Sequence, residues 1–167
     1  MAEPTVSVEF IVLAKDGTAV PADKAEAFFA ESPDQLVDFG AQMGRITLKG
    51  GDNAPLPLGS ELLWLVPAYC IRAMEHVLVN GTFDVTPPDL DFDIRFRREG
   101  STVTIDSEHM DPFVYPALPL VEALLGVVER YIALCSALWP DVAEEFTEGF
   151  SDGIDRVRQE LEDANLG

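Results

Sequence analysis

The chain has 167 residues and a hydrophobic content of 47%, which argues against disorder and for one domain; such a length buries roughly 70% of the unfolded surface around one core. Thirty acidic residues stand against eleven basic ones, a formal net charge of −19, with lysine only at positions 15, 24 and 49. That balance disfavours binding to nucleic acid or to an anionic membrane surface and favours a cationic partner with steered association.

A solubility or salt-adapted surface is the competing account of the acidity. Ten Phe and a mean hydropathy of +0.10 fit poorly with the thin core expected of a halophilic protein. The segment MAEPTVSVEF carries neither a basic n-region nor an apolar h-region, so no signal peptide is expected. Cys70 and Cys135 fall on apolar helical faces and are read as buried, reduced thiols. A cytoplasmic protein is therefore expected.

Thr5 to Leu13 alternates Val6, Val8, Phe10 and Val12 with polar residues and reads as a strand. Asp16-Gly17 turns it towards a short return strand at Ala19-Val20. Asp23 is placed as the cap of a short helix through Ala25, Phe28 and Phe29. Ser32-Pro33-Asp34-Gln35 has the form of a capping box, which predicts a second helix through Leu36, Val37 and Phe39 to Gly44. Arg45 to Lys49 is a predicted strand. Gly50 to Gly59, GGDNAPLPLG, is the richest in turn residues. It lacks the GK[ST] of a phosphate loop and is read as a plain connection.

Ser60 is then expected to cap a helix carrying Leu63, Val66, Cys70, Ala73, Met74 and Val77. Pro67 inside that pattern either kinks the helix or marks its true start; periodicity favours the kink. Asn80-Gly81 ends it. Phe83 to Thr86 is extended. Asp91 to Arg98 alternates Phe92, Ile94 and Phe96 with charged residues, and Glu99-Gly100 turns it into Thr102 to Asp106, a clear hairpin. Ser107 to Pro116 reads as a loop holding Glu108, His109, Asp111 and Pro112.

Pro119 to Trp139 is the apolar centre of the chain. At about 100° per residue its apolar side chains fill roughly half the helix circumference, leaving a polar strip of Glu122, Gly126, Glu129 and Ser136. A membrane span needs about 20 mainly apolar residues, and the charges of Glu122, Glu129 and Arg130 interrupt this one. It is read as the central core helix. After Pro140, a final helix from Asp141 to Ala164 aligns Val142, Phe146, Phe150, Ile154, Val157 and Leu161 in one stripe, opposite its acids. The expected fold is one α+β domain over residues 1–167, a mainly antiparallel sheet with helices packed on one face, ending in a C-terminal helical hairpin.

Chemistry is sparse. There is no HExxH, CxxC, GxSxG or paired-histidine spacing, so no catalytic residue, metal site or cofactor is assigned. Asp89, Asp91 and Asp93 match the opening of a calcium loop, but Ile94 stands where glycine is needed and Gly100 where glutamate is needed. Glu122 and Glu129 lie about 10 Å apart along the helix, too far for a retaining glycosidase pair. His109, with Glu108 and Asp111 nearby, is the best general base for an enzyme reading, although no nucleophile accompanies it.

The charge is concentrated. Residues 141–163 hold nine acids against Arg156 and Arg158, and residues 84–111 hold eight acids against Arg95, Arg97 and Arg98; these segments carry twelve of the nineteen net charges. Like charges at i,i+4 each cost a few tenths of a kcal/mol, which a cationic partner would relieve. The expected contact surface is Glu144, Glu145, Glu148, Asp152 and Asp155 together with Asp91, Asp93, Asp106, Glu108 and Asp111.

An acidic helix such as EEFTEGFSD, a hairpin such as FDIRFRREGSTVTID and the lack of a catalytic motif resemble the small acidic immunity proteins of bacterial toxin systems. That resemblance, one of overall character, implies a module that binds and occludes a basic toxin. Type III secretion chaperones, also small, acidic and α+β, offer a second comparison, in which the module holds a secreted effector. A salt-adapted subunit or homodimer, with its interface on the core helix, is the remaining reading.

Overall fold

A computed structural model of the protein describes residues 6–50, 55–86, 93–108 and 110–166. Alternating β-branched and aromatic residues build the first sheet. Strand β1 (Val6–Leu13) turns through Gly17 into β2 (Ala19–Pro21) and pairs on its other side with β3 (Met43–Gly50), which pairs with β4 (Leu56–Leu62). Every pairing is antiparallel, and Phe10 lies opposite Ile46 while Val8 lies opposite Leu48. Phe10, Val12, Ile46 and Leu48 are buried.

Helix α1 (Ala22–Glu31) forms as expected, but Pro21 holds its N-cap position and Asp23 sits in the first turn without capping it. The helix expected from Ser32 to Gly44 does not form. In its place are two short 3-10 turns, Pro33–Gln35 and Phe39–Ala41, and Ser32 makes no capping hydrogen bond. Long-range contacts take the groups that a capping box would have used. Asp16 N donates to Gln35 Oε1 at 3.0 Å, and Lys15 N to the Gln35 carbonyl at 2.9 Å. Trp139 Nε1 donates to the Val37 carbonyl at 3.0 Å. The fully buried Gln42 side chain donates through Nε2 to the Leu13 carbonyl at 2.6 Å and the Met43 carbonyl at 3.0 Å.

The connection expected over Gly50–Gly59 is shorter than it looked, because Leu56–Leu62 is strand β4 and Ser60 therefore caps no helix. Pro57 is tolerated because β4 is an edge strand, where a missing N–H breaks no central ladder. A 3-10 turn at Leu63–Leu65 leads into helix α2 (Val66–Val79), with Pro67 in the first turn. Pro67 thus marks the start of the helix and does not kink it, since a first-turn N–H has no intrahelical acceptor to lose. Gly44 admits the turn: a Cβ there would sit 2.8 Å from Leu63 Cδ1. At the far end Gly81 adopts φ 77 and closes the helix.

The second sheet runs β5 (Thr82–Val85), β6 (Ile94–Glu99), β7 (Thr102–Ser107) and β8 (Met110–Pro116), antiparallel and in chain order. The β6–β7 hairpin matches its expectation, with Phe96 opposite Ile105. Of the loop expected over 107–116, residues Met110–Pro116 are instead strand β8. Tyr115 pairs with Val103 and Phe113 with Ile105, and Pro112 and Pro116 fit because β8 is an edge. The strands of the described residues thus divide between two four-stranded sheets.

Helix α3 (Ala117–Leu138) is the element around which both sheets are packed, touching β1, β8, α1 and α2. Leu120, Val121, Leu124, Val128, Tyr131 and Cys135 are buried along it, and Glu122 and Glu129 lie on its exposed edge. No helix of the described residues is long and apolar enough to cross a membrane.

The single terminal helix expected over 141–164 is two helices, α4 (Ala143–Thr147) and α5 (Phe150–Leu166), parted at Gly149 with φ 85. The break has a tertiary cause: Tyr131 Oη donates to the Phe146 carbonyl at 3.1 Å. Phe146 packs on Phe39 at 4.4 Å between ring centroids, and Phe150 meets Tyr131 edge-on at 5.8 Å. With α3, these helices complete the C-terminal helical hairpin of an α+β fold.

Candidate partner-binding surface

The amphipathic pattern of α5 is met by α2 and α3, which cover it. Ile154, Val157 and Leu161 are buried there, and Ala143 is buried on α4. This packing fixes which way the acids point. Glu144 and Glu145 on α4, Glu148 at the break, and Asp152, Asp155, Glu162 and Asp163 on α5 are all exposed.

The two basic residues of this segment each pair with an acid on a neighbouring helix. Arg156 Nε pairs with Glu75 Oε1 on α2 at 3.0 Å, and Arg158 Nη2 pairs with Glu129 Oε1 on α3 at 2.5 Å. The remaining ion pairs among the described residues join Lys49 to Glu9 and Arg95 to Asp106, so none neutralises the exposed acids of α4 and α5. Arg156 and Arg158, both exposed, act as ties from α5 to α2 and α3.

The second group of predicted residues collects at one end of the second sheet. Arg95 lies opposite Asp106, and Ser107 lies opposite Met110, which brings Asp93, Asp106, Glu108 and Asp111 to the same edge. Asp93, Glu108 and Asp111 are exposed. Asp106 is engaged by Arg95 Nε at 3.1 Å, and Asp93 accepts a hydrogen bond from Thr86 Oγ1. Asp89, Asp91 and His109 lie outside the described residues. No group of three or more His, Cys, Asp or Glu with metal-binding geometry occurs among the described residues.

Cys70 and Cys135 are both buried and unbridged. Burial pushes the Cys135 thiol up to about 11, with the neighbouring Tyr131 hydroxyl opposing the rise, so the thiolate needed for nucleophilic chemistry is suppressed at neutral pH.

A cleft of about 270 Å³ where α5 crosses the end of α2 is lined by Glu75, His76, Val79, Asn80, Arg156 and Glu160. No sequence signal points to it. Glu75 and His76 belong to a helix with an ordinary apolar period, and only the packing of α5 on α2 brings Arg156 and Glu160 to them. Comparison with protein families, with curated proteins and with solved structures gave no match.

Proposed function

We propose that the protein is a cytoplasmic protein-binding module, an immunity-type inhibitor that neutralises a basic partner through its acidic C-terminal face. The observation that carries this reading is the disposition of charge on α4 and α5. Seven carboxylates, Glu144, Glu145, Glu148, Asp152, Asp155, Glu162 and Asp163, are exposed along α4 and α5, while the two arginines of the segment, also exposed, are each paired with an acid of a neighbouring helix, Glu75 and Glu129. A folded surface that keeps its like charges together and spends its cations elsewhere gives up a few tenths of a kcal/mol for each close pair. A basic partner recovers that energy and is drawn in by the field. The acids at the end of the second sheet extend the same sign of charge.

The test has two stages. Proteins retained by the immobilised chain at low salt and released at high salt are identified, and any basic protein encoded beside this chain is assayed directly. Binding kinetics then compare the native chain with Glu144→Lys/Glu145→Lys/Glu148→Lys. Association is expected to slow at least tenfold, with a flatter salt dependence and little change in dissociation. An unchanged on-rate with a bona fide partner removes this surface from the interaction.

A further inference from the structure

The cleft between α2 and α5 has an electrostatic imbalance that its own residues do not resolve. Glu160 Oε2 is shielded from solvent and has no hydrogen-bond partner. Arg156, the nearest cation, gives its Nε to Glu75 Oε1 at 3.0 Å. Burial raises the Glu160 carboxyl first, Glu75 raises it further, Arg156 opposes, and Asp163 adds to the rise. A carboxylate held in this way is under-compensated.

The other walls are firm. His76 is stacked on Phe83, with ring centroids 5.5 Å apart and an interplanar angle of 24°. Asn80 Nδ2 lies 3.0 Å from His76 Nδ1, so with the amide as donor the neutral ring carries its proton on Nε2. Val79, 66% exposed, forms an apolar rim. The last turn of α2 also ends here, and the negative end of a helix favours a cation.

We propose that this cleft is a receptor for a guanidinium group, the anchoring arginine side chain of the basic partner. Two carboxylates against one committed arginine leave a single negative charge, which matches a monovalent cation. With a turn of the half-buried Glu160 side chain that presents Oε2 to the cleft, a planar fork of donors meets Glu160 and Glu75 with fixed, paired geometry, which a compact ammonium does not offer. Val79 receives the methylene stem. The identification of the guest as an arginine of a partner rests on the function proposed above; the affinity of the cleft for guanidinium does not.

The experiment is an amide-resolved NMR titration of the whole chain with ethylguanidinium, with n-butylammonium, and with a short arginine-containing peptide. Saturable shifts confined to Glu75–Gly81 and Arg156–Glu160 are expected for ethylguanidinium, with a half-saturation concentration at least tenfold lower than for butylammonium. Glu160→Gln should raise that concentration at least tenfold. Val79→Lys, at an exposed position that leaves the fold intact, should abolish binding by placing an ammonium at the rim. Shifts spread over every acidic face, no shift, or equal binding by Glu160→Gln overturns the proposal. If the probe binds in the cleft but the peptide does not, the site takes a free guanidine and the arginine anchor is wrong. If cleft binding survives while charge reversal on α4 leaves partner association untouched, the acidic-face reading fails alone.

Discussion

Replacing Gly126 and Gly153 by alanine makes the same chemical change in two helices, and their surroundings give the changes opposite signs. A Cβ at Gly126, midway along α3, would meet nothing within 4 Å, whereas one at Gly153 on α5 would lie 2.9 Å from Ile71 Cδ1, 3.3 Å from its Cγ2 and 3.6 Å from its Cγ1. Both substitutions gain helix propensity of about 1 kcal/mol. At Gly126 nothing opposes that gain, and in a chain of this length it raises Tm by roughly 2–4 °C. At Gly153 the crowding comes from a buried, β-branched side chain, so rotating one methyl away does not clear the space. Overpacking of this kind costs about 1–3 kcal/mol, which leaves a net loss of up to about 2 kcal/mol. Urea unfolding followed by circular dichroism measures both. Ile71→Val removes Cδ1 and alone costs about 0.5–1.5 kcal/mol. Combined with Gly153→Ala it should cost less than the sum, by about 0.5 kcal/mol or more. A Gly153→Ala variant as stabilised as Gly126→Ala would falsify the close approach of α2 and α5, and with it the walls of the cleft.

Tyr131→Phe removes the hydroxyl that holds the Phe146 carbonyl and should cost about 1 kcal/mol, read as a lower urea midpoint with an unchanged m-value. Arg158→Ala breaks an exposed pair with Glu129 and should change stability by less than about 0.5 kcal/mol; calorimetry showing a loss above about 2 kcal/mol would mean that the tie is structural. The thiols should resist Ellman's reagent in the native state and react only on unfolding, since Cys70 and Cys135 are both fully buried. Because the folded-state value of Cys135 lies above its ordinary value near 9, the unfolded chain ionises first as pH rises. Stability from this group is complete below about pH 9 and is lost progressively up to about pH 11, and Tyr131, raised the same way by burial, adds to the alkaline loss.

Where local pattern and packing agree, the sequence was sufficient. The broad apolar face of α3, the alternation of Ile94 and Phe96, and the Glu99-Gly100 turn need no distant partner to declare themselves, since hydrophobic period and turn chemistry are local properties. The outward acids of α4 and α5 follow from the same logic: once Ile154, Val157 and Leu161 face inward, the carboxylates cannot. The α+β class, the antiparallel pairing and the C-terminal hairpin were legible on these grounds.

Tertiary contacts decided the remainder. Ser32 to Gln35 spells a helix start, yet the backbone of Asp16 and Lys15 claims Gln35 and the indole of Trp139 claims Val37, so two short turns replace the helix. Residues 107–116 look like a loop because Pro112 and Pro116 lie among charges; a position on a sheet edge, which no local window reveals, makes Met110–Pro116 a strand. The Asp141–Ala164 stripe is continuous in sequence but divided in space, because Tyr131 takes a carbonyl in its middle. Charge shows the same division. Its sign and its concentration are written in composition, but the pairing of Arg156 with Glu75 and of Arg158 with Glu129, and the meeting of Glu160 with Glu75 and His76, exist only after α5 has packed on α2 and α3. The Arg156–Glu75 contact joins residues 81 positions apart and the Arg158–Glu129 contact residues 29 apart, and such a pairing is chosen by the whole core, not by the segments that it brings together.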